Sequence, residues 1–247
     1  MSSPMTSHLD LLPEPTRSLW LKLREEPLLK DAILIGGTAL TLRIGHRRSE
    51  DLDFAFLSEK LPTSAIALLL RKFPDWTRND NLASYDEFLI AGQSLHDYQQ
   101  DFITEEGVKV TFLAEDKSAW PLLGKGSEGG ESPRVATTKE VFALKCLVCA
   151  RRSKSRDWYD LHTLFHDHGF EVSDMVEAFE KANRSSDIDL AFRRLCSAIT
   201  SPDDEGYEAL IENPPSLDSL RAFFEELRDK YEIEQSRSLR GGQTPEE

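Results

Sequence analysis

The stretch from Ile33 to Phe56, ILIGGTALTLRIGHRRSEDLDFAF, constrains the fold more than any other part of the chain. It has the pattern of an apolar strand, a turn at Gly36 and Gly37, a short helix, a basic loop, and a second strand that carries Asp51 and Asp53. Two strands separated by a helix can bury their apolar side chains when the strands share a sheet and the helix packs on it. The stretch therefore predicts an α/β domain.

The turn between the first strand and the helix is suited to binding phosphate. Backbone NH groups at a glycine turn, with the positive end of a helix behind them, favour phosphate oxygens, and Gly36, Gly37 and Thr38 occupy this position. Arg47 and Arg48 follow in the basic loop and could add cations. The alternative is that the two glycines only provide a turn that needs a positive φ.

The two aspartates of the DLDF segment are candidates for a metal site. Asp51 and Asp53 are two residues apart, so in a strand both carboxylates leave the same face, while Leu52 and Phe54 face the core. Mg²⁺ takes oxygen ligands and is commonly held by one or two carboxylates together with substrate phosphates. Taken alone, the pair could equally be a solvated strand edge. Next to a phosphate-binding turn, we interpret it as a Mg²⁺–nucleotide site.

Composition narrows the class of protein. The chain has 247 residues and a formal net charge of −14, which argues against a generally nucleic-acid-binding surface and makes local basic clusters informative. No apolar run is long enough to cross a membrane, and the N-terminus lacks a secretory pattern, so we expect a cytoplasmic protein without membrane contact. The pair Cys146 and Cys149 lies in the apolar run VFALKCLVCA, which predicts buried structural thiols.

Glycine and serine mark a boundary between two predicted domains. We expect an α/β domain over residues 16–123 and a linker over residues 124–133, where Gly and Ser cannot bury enough apolar surface to become ordered alone. Beyond the linker the pattern is helical. A helical domain is predicted over residues 134–234, followed by a disordered tail over residues 235–247.

A second cluster of charged residues surrounds the start of this helical region. Lys145 lies in an otherwise apolar helix, where burial is costly unless an anion or a carboxylate receives its charge. Its stem could instead run along the core to reach water. Two acidic residues at a helix start also complement the helix dipole, which is a sufficient structural explanation for them. The functional interpretation is a phosphate contact with a catalytic or positioning carboxylate nearby; the further residues concerned are Arg152, Lys154, Arg156, Asp157 and Asp160.

Taken together, these motifs resemble a known family. The combination GGTAL…GHRRSEDLDF, a later GVKVTF strand and K…RRSKSRDWYDL resembles the AbiEii/AbiGii toxin family of nucleotidyltransferases, within the DNA polymerase β-like superfamily. The resemblance spans roughly residues 30–170. It implies an α/β (α+β) fold, with a mixed sheet and flanking helices followed by a C-terminal helical domain. Many members are toxins of type IV toxin–antitoxin or abortive-infection systems, and some transfer nucleotides from an NTP onto tRNA.

The resemblance also implies roles for individual residues. The glycine–hydroxyl motif of the family falls on Gly36, Gly37 and Thr38, and its metal-binding aspartates fall on Asp51 and Asp53. Its later lysine falls on Lys145. Its basic block with a required aspartate falls on the cluster Arg152, Lys154, Arg156, Asp157 and Asp160, so that Asp51, Asp53, Asp157 and Asp160 are the predicted catalytic carboxylates.

One position departs from the wider superfamily. A third carboxylate, acting as base toward the acceptor hydroxyl, would lie on the strand after the two aspartates, and the sequence VKVTF has Thr111 there. Asp157 or Asp160 could supply the carboxylate instead, or the metal could activate the acceptor. A third alternative is that the protein binds a nucleotide without turning it over.

The resulting hypothesis is a Mg²⁺-dependent nucleotidyltransferase toxin that uses an NTP. Its acceptor would be an RNA, with tRNA as the leading candidate, or a protein, and a cognate antitoxin is the expected protein partner. The alternative from a different class is a catalytically inactive module that binds NTP or a partner protein.

Overall fold

The computed structural model describes residues 8–79, 88, 90, 92–124 and 133–241. The chain forms two compact units, Met1–Val141 and Phe142–Glu247, which are described separately below.

The first unit is built on a mixed sheet, which confirms the predicted fold class. In the described part of the chain this sheet has six strands in the order β3-β4-β5-β2-β1-β6. The pairs β2–β5 and β1–β6 are parallel and the other neighbours are antiparallel. The strands are β1 (Ala32–Ile35), β2 (Leu52–Phe56), β3 (Thr77–Arg78), β4 (Gln99–Ile103), β5 (Lys109–Ala114) and β6 (Arg134–Val135).

Several helices of the described chain belong wholly to this unit, and another begins in it. They are α1 (Glu14–Leu23), α2 (Gly36–Ile44), α3 (Thr63–Leu70) and α4 (Thr138–Cys149). Helix α2 connects β1 to β2, as predicted, but it begins at Gly36, directly after β1, so the two glycines predicted as a separate turn form its first turn.

Side chains alternate between the two faces of the sheet. Leu52 and Phe54 are fully buried, and Phe54 stacks on Phe112 at 5.6 Å between ring centroids and lies 6.4 Å from Trp20. This aromatic core confirms the prediction that the apolar residues of DLDF face inward. Because successive residues of a strand point to opposite faces, Asp53 lies on the other face.

The boundary between the units differs from the predicted one. The sequence assigned residues 134–234 to the helical domain, but β6 pairs in parallel with β1 and the amide of Ala136 donates to the carbonyl of Leu34 at 2.9 Å. Arg43 of α2 donates to the carbonyls of Val135 and Ala136 at 2.6 and 3.0 Å. These backbone contacts attach the segment to the sheet. Residues 125–132 of the predicted linker lie outside the described residues.

The second unit is helical. After α4 it contains α5 (Ser155–Asp167), α6 (Val172–Lys181), α7 (Ile188–Leu195) and α8 (Leu217–Gly241).

The predicted tail differs in part from the structure. Residues 235–241, predicted as disordered, continue α8, because the preceding part of this helix is packed, with Tyr231 stacked on Phe192 at 5.4 Å, and adding turns to a formed helix costs less than starting one. Residues 242–247 lie outside the described residues.

Glu140 joins three parts of the first unit. The amide of Thr137 donates to its carboxylate at 2.7 Å, and its own amide donates to the Thr137 hydroxyl oxygen at 3.2 Å, which forms a capping box at the start of α4. Arg134 of β6 and the amide of Gly124 donate to the same carboxylate at 2.8 and 2.6 Å. Burial alone would raise the pKa of Glu140, but these donors outweigh it and hold the pKa below its ordinary value of 4.5.

We predict that Glu140→Gln destabilises the protein by about 2 kcal/mol at neutral pH, because the charged acceptor of several buried donors is lost. A carboxyl with a lowered folded-state pKa contributes stability above its ordinary pKa of 4.5, and this contribution is lost as the pH falls through the folded-state value. Urea unfolding of both proteins should therefore show a difference that shrinks below about pH 4. Glu106→Gln, at an exposed turn residue, is the control and should change the free energy of unfolding by less than about 0.5 kcal/mol.

Candidate active site

The first turn of α2 lies directly against the carboxylate of Asp53. Gly36 has φ of +72°, and a Cβ atom placed on it would be 2.6 Å from Oδ2 of Asp53. Only glycine tolerates both this backbone conformation and this approach. The predicted phosphate-binding turn and the predicted metal-binding strand are therefore in contact.

Gly37 makes room for a buried arginine. A Cβ atom on Gly37 would lie 2.5 Å from Nη2 of Arg47 and 3.0 Å from Oγ of Ser49. Arg47 is only 5 % exposed, and its backbone carbonyl accepts the hydroxyl of Thr41 at 3.0 Å. Arg48, by contrast, is exposed. The two cations predicted to bind phosphate thus have different settings, one packed against the glycine turn and one in solvent.

The hydroxyl of Thr38 is engaged inside the protein. It donates to the carbonyl of Asp51 and is hydrogen-bonded to the hydroxyl of Ser49 at 2.9 Å, and Thr38 is 1 % exposed. The side chain therefore holds the loop that leads into β2. Because the hydroxyl is already hydrogen-bonded within the protein, the predicted phosphate contact at Thr38 concerns its backbone NH alone. This contact stays a prediction.

The two aspartates are suited to a divalent cation. Asp51 immediately precedes β2 and Asp53 lies in it, and both are partly exposed. Two carboxylates provide the hard oxygen donors that Mg²⁺ takes together with substrate phosphates and water, so these residues fit the predicted ion. In the described part of the chain, no group of three or more His, Cys, Asp or Glu side chains could hold a metal.

A third carboxylate, which was not predicted from the sequence, lies in the same row of the sheet. Thr111 of β5 is paired with Asp53 of β2 on one side and with Asp101 of β4 on the other. The hydroxyl of Thr111 donates to Oδ1 of Asp101 at 2.8 Å, and the side-chain amide of Gln99 donates to Oδ2 at 2.7 Å. A β4–β5 hairpin around Gly107 was the available signal, since it would have paired positions 101 and 111.

In the second unit, Lys145 is the centre of a buried ion-pair network. Its ammonium group lies 2.5 Å from Oδ1 of Asp157 and 2.8 Å from Oδ2 of Asp160, and these aspartates are 1 % and 0 % exposed. Arg152 adds a bond from Nε to Asp157 at 2.8 Å. The costly burial of a lysine, noted from the sequence, is thus compensated by two carboxylates of α5.

The titration of Asp157 follows from these contacts. Burial would raise the pKa of Asp157, but the nearby charges of Lys145 and Arg152 outweigh burial and hold that pKa below its ordinary value of 3.8. Asp157 is therefore an ionised, paired carboxylate at neutral pH. The side chain of Arg152 is 55 % exposed, so this cation is anchored by Asp157 and still reaches the surface.

The other two predicted phosphate-binding cations contact an acidic loop of the same unit. The ammonium of Lys154 lies 2.7 Å from Oδ2 of Asp203, and Nη1 of Arg156 lies 2.9 Å from Oε2 of Glu205. The amide of Ser155, at the start of α5, donates to Asp204 at 3.1 Å. The acidic loop therefore covers the basic start of α5.

The cysteines and the apolar content of the helices bear on two smaller predictions. Cys146 and Cys149 are free and buried, and burial raises the pKa of both thiols above the ordinary value, as suits structural cysteines. No helix within the described residues is long and apolar enough to span a membrane.

Comparison with known proteins identifies what the chain resembles. A family model described as nucleotidyl transferase AbiEii toxin, type IV toxin–antitoxin system, matches residues 18–246. A curated relative, the uncharacterized protein aq_aa25 of Aquifex aeolicus (strain VF5), is 26 % identical over 205 residues, which cover 83 % of this chain and 89 % of the relative.

Two solved structures are also similar. A candidate nucleotidyltransferase from H. pylori has a TM-score of 0.48 at 18 % identity, with 90 % of this chain and 98 % of that chain covered. MenT4, the nucleotidyltransferase toxin Rv2826c of Mycobacterium tuberculosis H37Rv, has a TM-score of 0.46 at 16 % identity, with 90 % and 89 % covered. The family match covers most of the chain and agrees with the resemblance inferred from the motifs.

We predict that Gly36→Ala displaces the Asp53 carboxylate, because the new methyl group would occupy its place. The matched control is Gly107→Ala, since Gly107 also has positive φ, +82°, but a Cβ atom there would meet nothing within 4 Å. Both variants should lose about 1–2 kcal/mol of stability from the strained backbone. Only Gly36→Ala should weaken Mn²⁺ binding, by about tenfold or more, in a titration followed by electron paramagnetic resonance. Equal Mn²⁺ affinity in the two variants would contradict this assignment.

We predict that Lys145→Met destabilises the protein by about 3–5 kcal/mol at pH 7, because two buried carboxylates lose their cation. The loss should shrink as the pH falls below the ordinary carboxyl value of 3.8, since protonated carboxyls need no cation. Chemical unfolding at several pH values measures this difference. Lys181→Met removes the same charge from an exposed i,i+4 pair with Glu177 and should cost less than about 0.5 kcal/mol.

Proposed function

The chain belongs to the AbiEii family of nucleotidyltransferase toxins of type IV toxin–antitoxin systems, and on this basis we propose that it transfers a nucleotide from an NTP to an acceptor hydroxyl. Asp51 and Asp53 are the proposed metal-binding carboxylates. Mg²⁺ is the proposed ion, and an RNA, with tRNA as the first candidate, or a protein is the proposed acceptor.

One observation carries this proposal. The start of α2 and the Asp53 carboxylate approach so closely that residue 36 has room only for glycine. A helix N-terminus favours anions, and a carboxylate beside it favours a cation. The triphosphate of an Mg²⁺-bound nucleotide carries both charges and matches both groups, which a purely structural glycine turn would not require.

Several residues of the first unit have roles in the proposed reaction. The acceptor oxygen attacks the α-phosphorus of the NTP while the bond to the leaving pyrophosphate breaks. Backbone NH groups of Gly36, Gly37 and Thr38 orient the phosphates, and Arg47, packed beside the turn, adds positive charge. When bound by Asp51 and Asp53, Mg²⁺ would neutralise charge on the α-phosphate and the leaving group.

The second unit holds a cation whose geometry suits an anionic ligand. Arg152 is held by Asp157 through its guanidinium and is still 55 % exposed, so it can contact an anion without losing its anchor. Lys145, Asp157 and Asp160 are proposed to position this arginine. Lys154 and Arg156 face the acidic loop, and contacts from them to an RNA acceptor would require this loop to give way.

A second candidate function is nucleotide binding without transfer. It is favoured by Thr111, a neutral residue that stands directly beside Asp53 in the sheet, where the superfamily has a base. A cognate antitoxin is the proposed partner protein under either function.

We predict that Asp53→Asn abolishes transfer of label from α-labelled NTPs to total cellular RNA in the presence of Mg²⁺, with a loss of at least about 10³-fold, because one metal ligand is gone. The same substitution should relieve growth inhibition when the protein is expressed in bacteria. Urea unfolding should show that Asp53→Asn is folded.

Asp31→Asn is the matched control, since Asp31 is exposed in the same unit just before β1. It should transfer label and inhibit growth like the wild type. Wild-type protein that binds all four NTPs but transfers none of them to RNA or to protein would favour the second candidate function.

A further inference from the structure

We propose that Asp101 is the missing base of this site and that it acts through the hydroxyl of Thr111. The inference rests on the proposed nucleotidyl transfer and deepens it. It assigns the step that the sequence left open, namely which group takes the proton from the acceptor hydroxyl. In this proposal Thr111 contacts the acceptor hydroxyl of the substrate. Asp101 does not touch the substrate; it positions Thr111 and accepts the proton from it.

The sheet register places the three side chains in one row. Asp53 on β2, Thr111 on β5 and Asp101 on β4 are consecutive partners across neighbouring strands. Residues paired in this way point to the same face of a sheet, and strands are about 4.8 Å apart. Thr111 therefore stands between the proposed metal ligand and a buried carboxylate.

The hydrogen bonds around Thr111 have a defined direction. Its hydroxyl has one proton, and this proton is donated to Oδ1 of Asp101 at 2.8 Å. The lone pairs of the same oxygen are therefore turned away from Asp101 and are able to accept a proton. The amide of Gln99 donates to Oδ2 of Asp101 at 2.7 Å and holds the carboxylate in this orientation.

The carboxyl side chain at position 101 exceeds what the fold requires. Asp101 is 4 % exposed, and its two side-chain bonds come from neutral donors, a hydroxyl and an amide. An asparagine could accept the same hydroxyl and pair with Gln99 after a flip of that amide. An asparagine could not accept a proton from Thr111, however, and this is the role that the carboxyl adds.

The proposed step conserves atoms and charge. The acceptor hydroxyl gives its proton to the oxygen of Thr111 while Thr111 gives its own proton to Oδ1 of Asp101. The acceptor oxygen forms its bond to the α-phosphorus, and the bond to pyrophosphate breaks with its electron pair on the leaving group. Asp101 is then neutral and Thr111 is unchanged. Release of the proton from Asp101 to solvent restores the site.

The test uses the full-length protein and isosteric variants. Asp101→Asn should lower kcat for label transfer from α-labelled NTPs to total RNA by about 10²-fold or more, which is the usual contribution of a general base. The KM for NTP should stay within about twofold of wild type, because Asp101 is not a proposed metal or phosphate ligand. Thr111→Val keeps the shape but breaks the relay and should show the same loss.

A variant in which the carboxylate is moved from position 101 to position 111 distinguishes a proton-accepting role of Asp101 from a purely structural one. In the double variant Asp101→Asn with Thr111→Asp, a carboxylate stands on β5 directly beside Asp53. This variant should recover at least about tenfold in kcat over Asp101→Asn, since the base is restored without the hydroxyl. Thr104→Ala, which removes another buried hydrogen bond of the same hairpin, controls for loss of stability and should keep full activity.

The outcomes separate this inference from the function on which it rests. Growth inhibition on expression provides a readout that requires no known acceptor. If Asp53→Asn is harmless to the host while Asp101→Asn and Thr111→Val stay as toxic and as active as wild type, the relay is wrong and nucleotidyl transfer stands. If Asp101→Asn raises the KM for NTP as much as it lowers kcat, and Thr111→Asp brings no recovery, Asp101 has only a structural role. If Asp53→Asn is as toxic as wild type, the proposed function itself fails.

Discussion

The close approach between the start of α2 and the Asp53 carboxylate is the constraint on which the first unit depends. It requires a residue without a side chain at position 36, with a backbone conformation that other residues adopt only under strain. A second glycine, Gly37, leaves space for the buried side chain of Arg47. The hydroxyl of Thr38 then holds the loop that leads into β2. Each of these contacts brings α2 nearer to the aspartates, so that the proposed phosphate-binding residues and the proposed metal-binding residues share one turn.

The second unit depends on a different electrostatic interaction, the pairing of a buried lysine with carboxylates. A lysine in an apolar helix is unstable unless its charge is matched, and α5 supplies two carboxylates for Lys145 from its first turns. One of these carboxylates, Asp157, also anchors Arg152, which is thereby held at the surface in a defined orientation. Lys145 and the two aspartates are buried, whereas Arg152 at the end of the network is exposed. The cost of the buried charges is offset inside the unit, and one cation remains accessible to an anionic ligand.

Much of this could be inferred from local sequence. The period and spacing of ILIGGTALTLRIGHRRSEDLDFAF specify β1, α2 and β2, because each of these elements is adjacent to the next in the chain. The inward orientation of Leu52 and Phe54 and the burial of Cys146 and Cys149 were also predicted correctly. Position 101 was not found, because its significance depends on a hairpin register. The attachment of β6 to β1 was missed for the same reason, since a two-residue strand has no periodicity of its own.

The sequence alone thus determined the family, the mixed α/β fold, and the residue types that could bind phosphate and a metal. These are properties of short segments and of their spacing, which propensity and patterning control directly. Only the tertiary structure decided how the side chains are used. It engaged the Thr38 hydroxyl in the protein, paired Lys145 with Asp157 and Asp160, and placed Asp101 behind Thr111. Hydrogen-bond partners and burial arise from contacts between residues distant in the chain, and no local pattern encodes them.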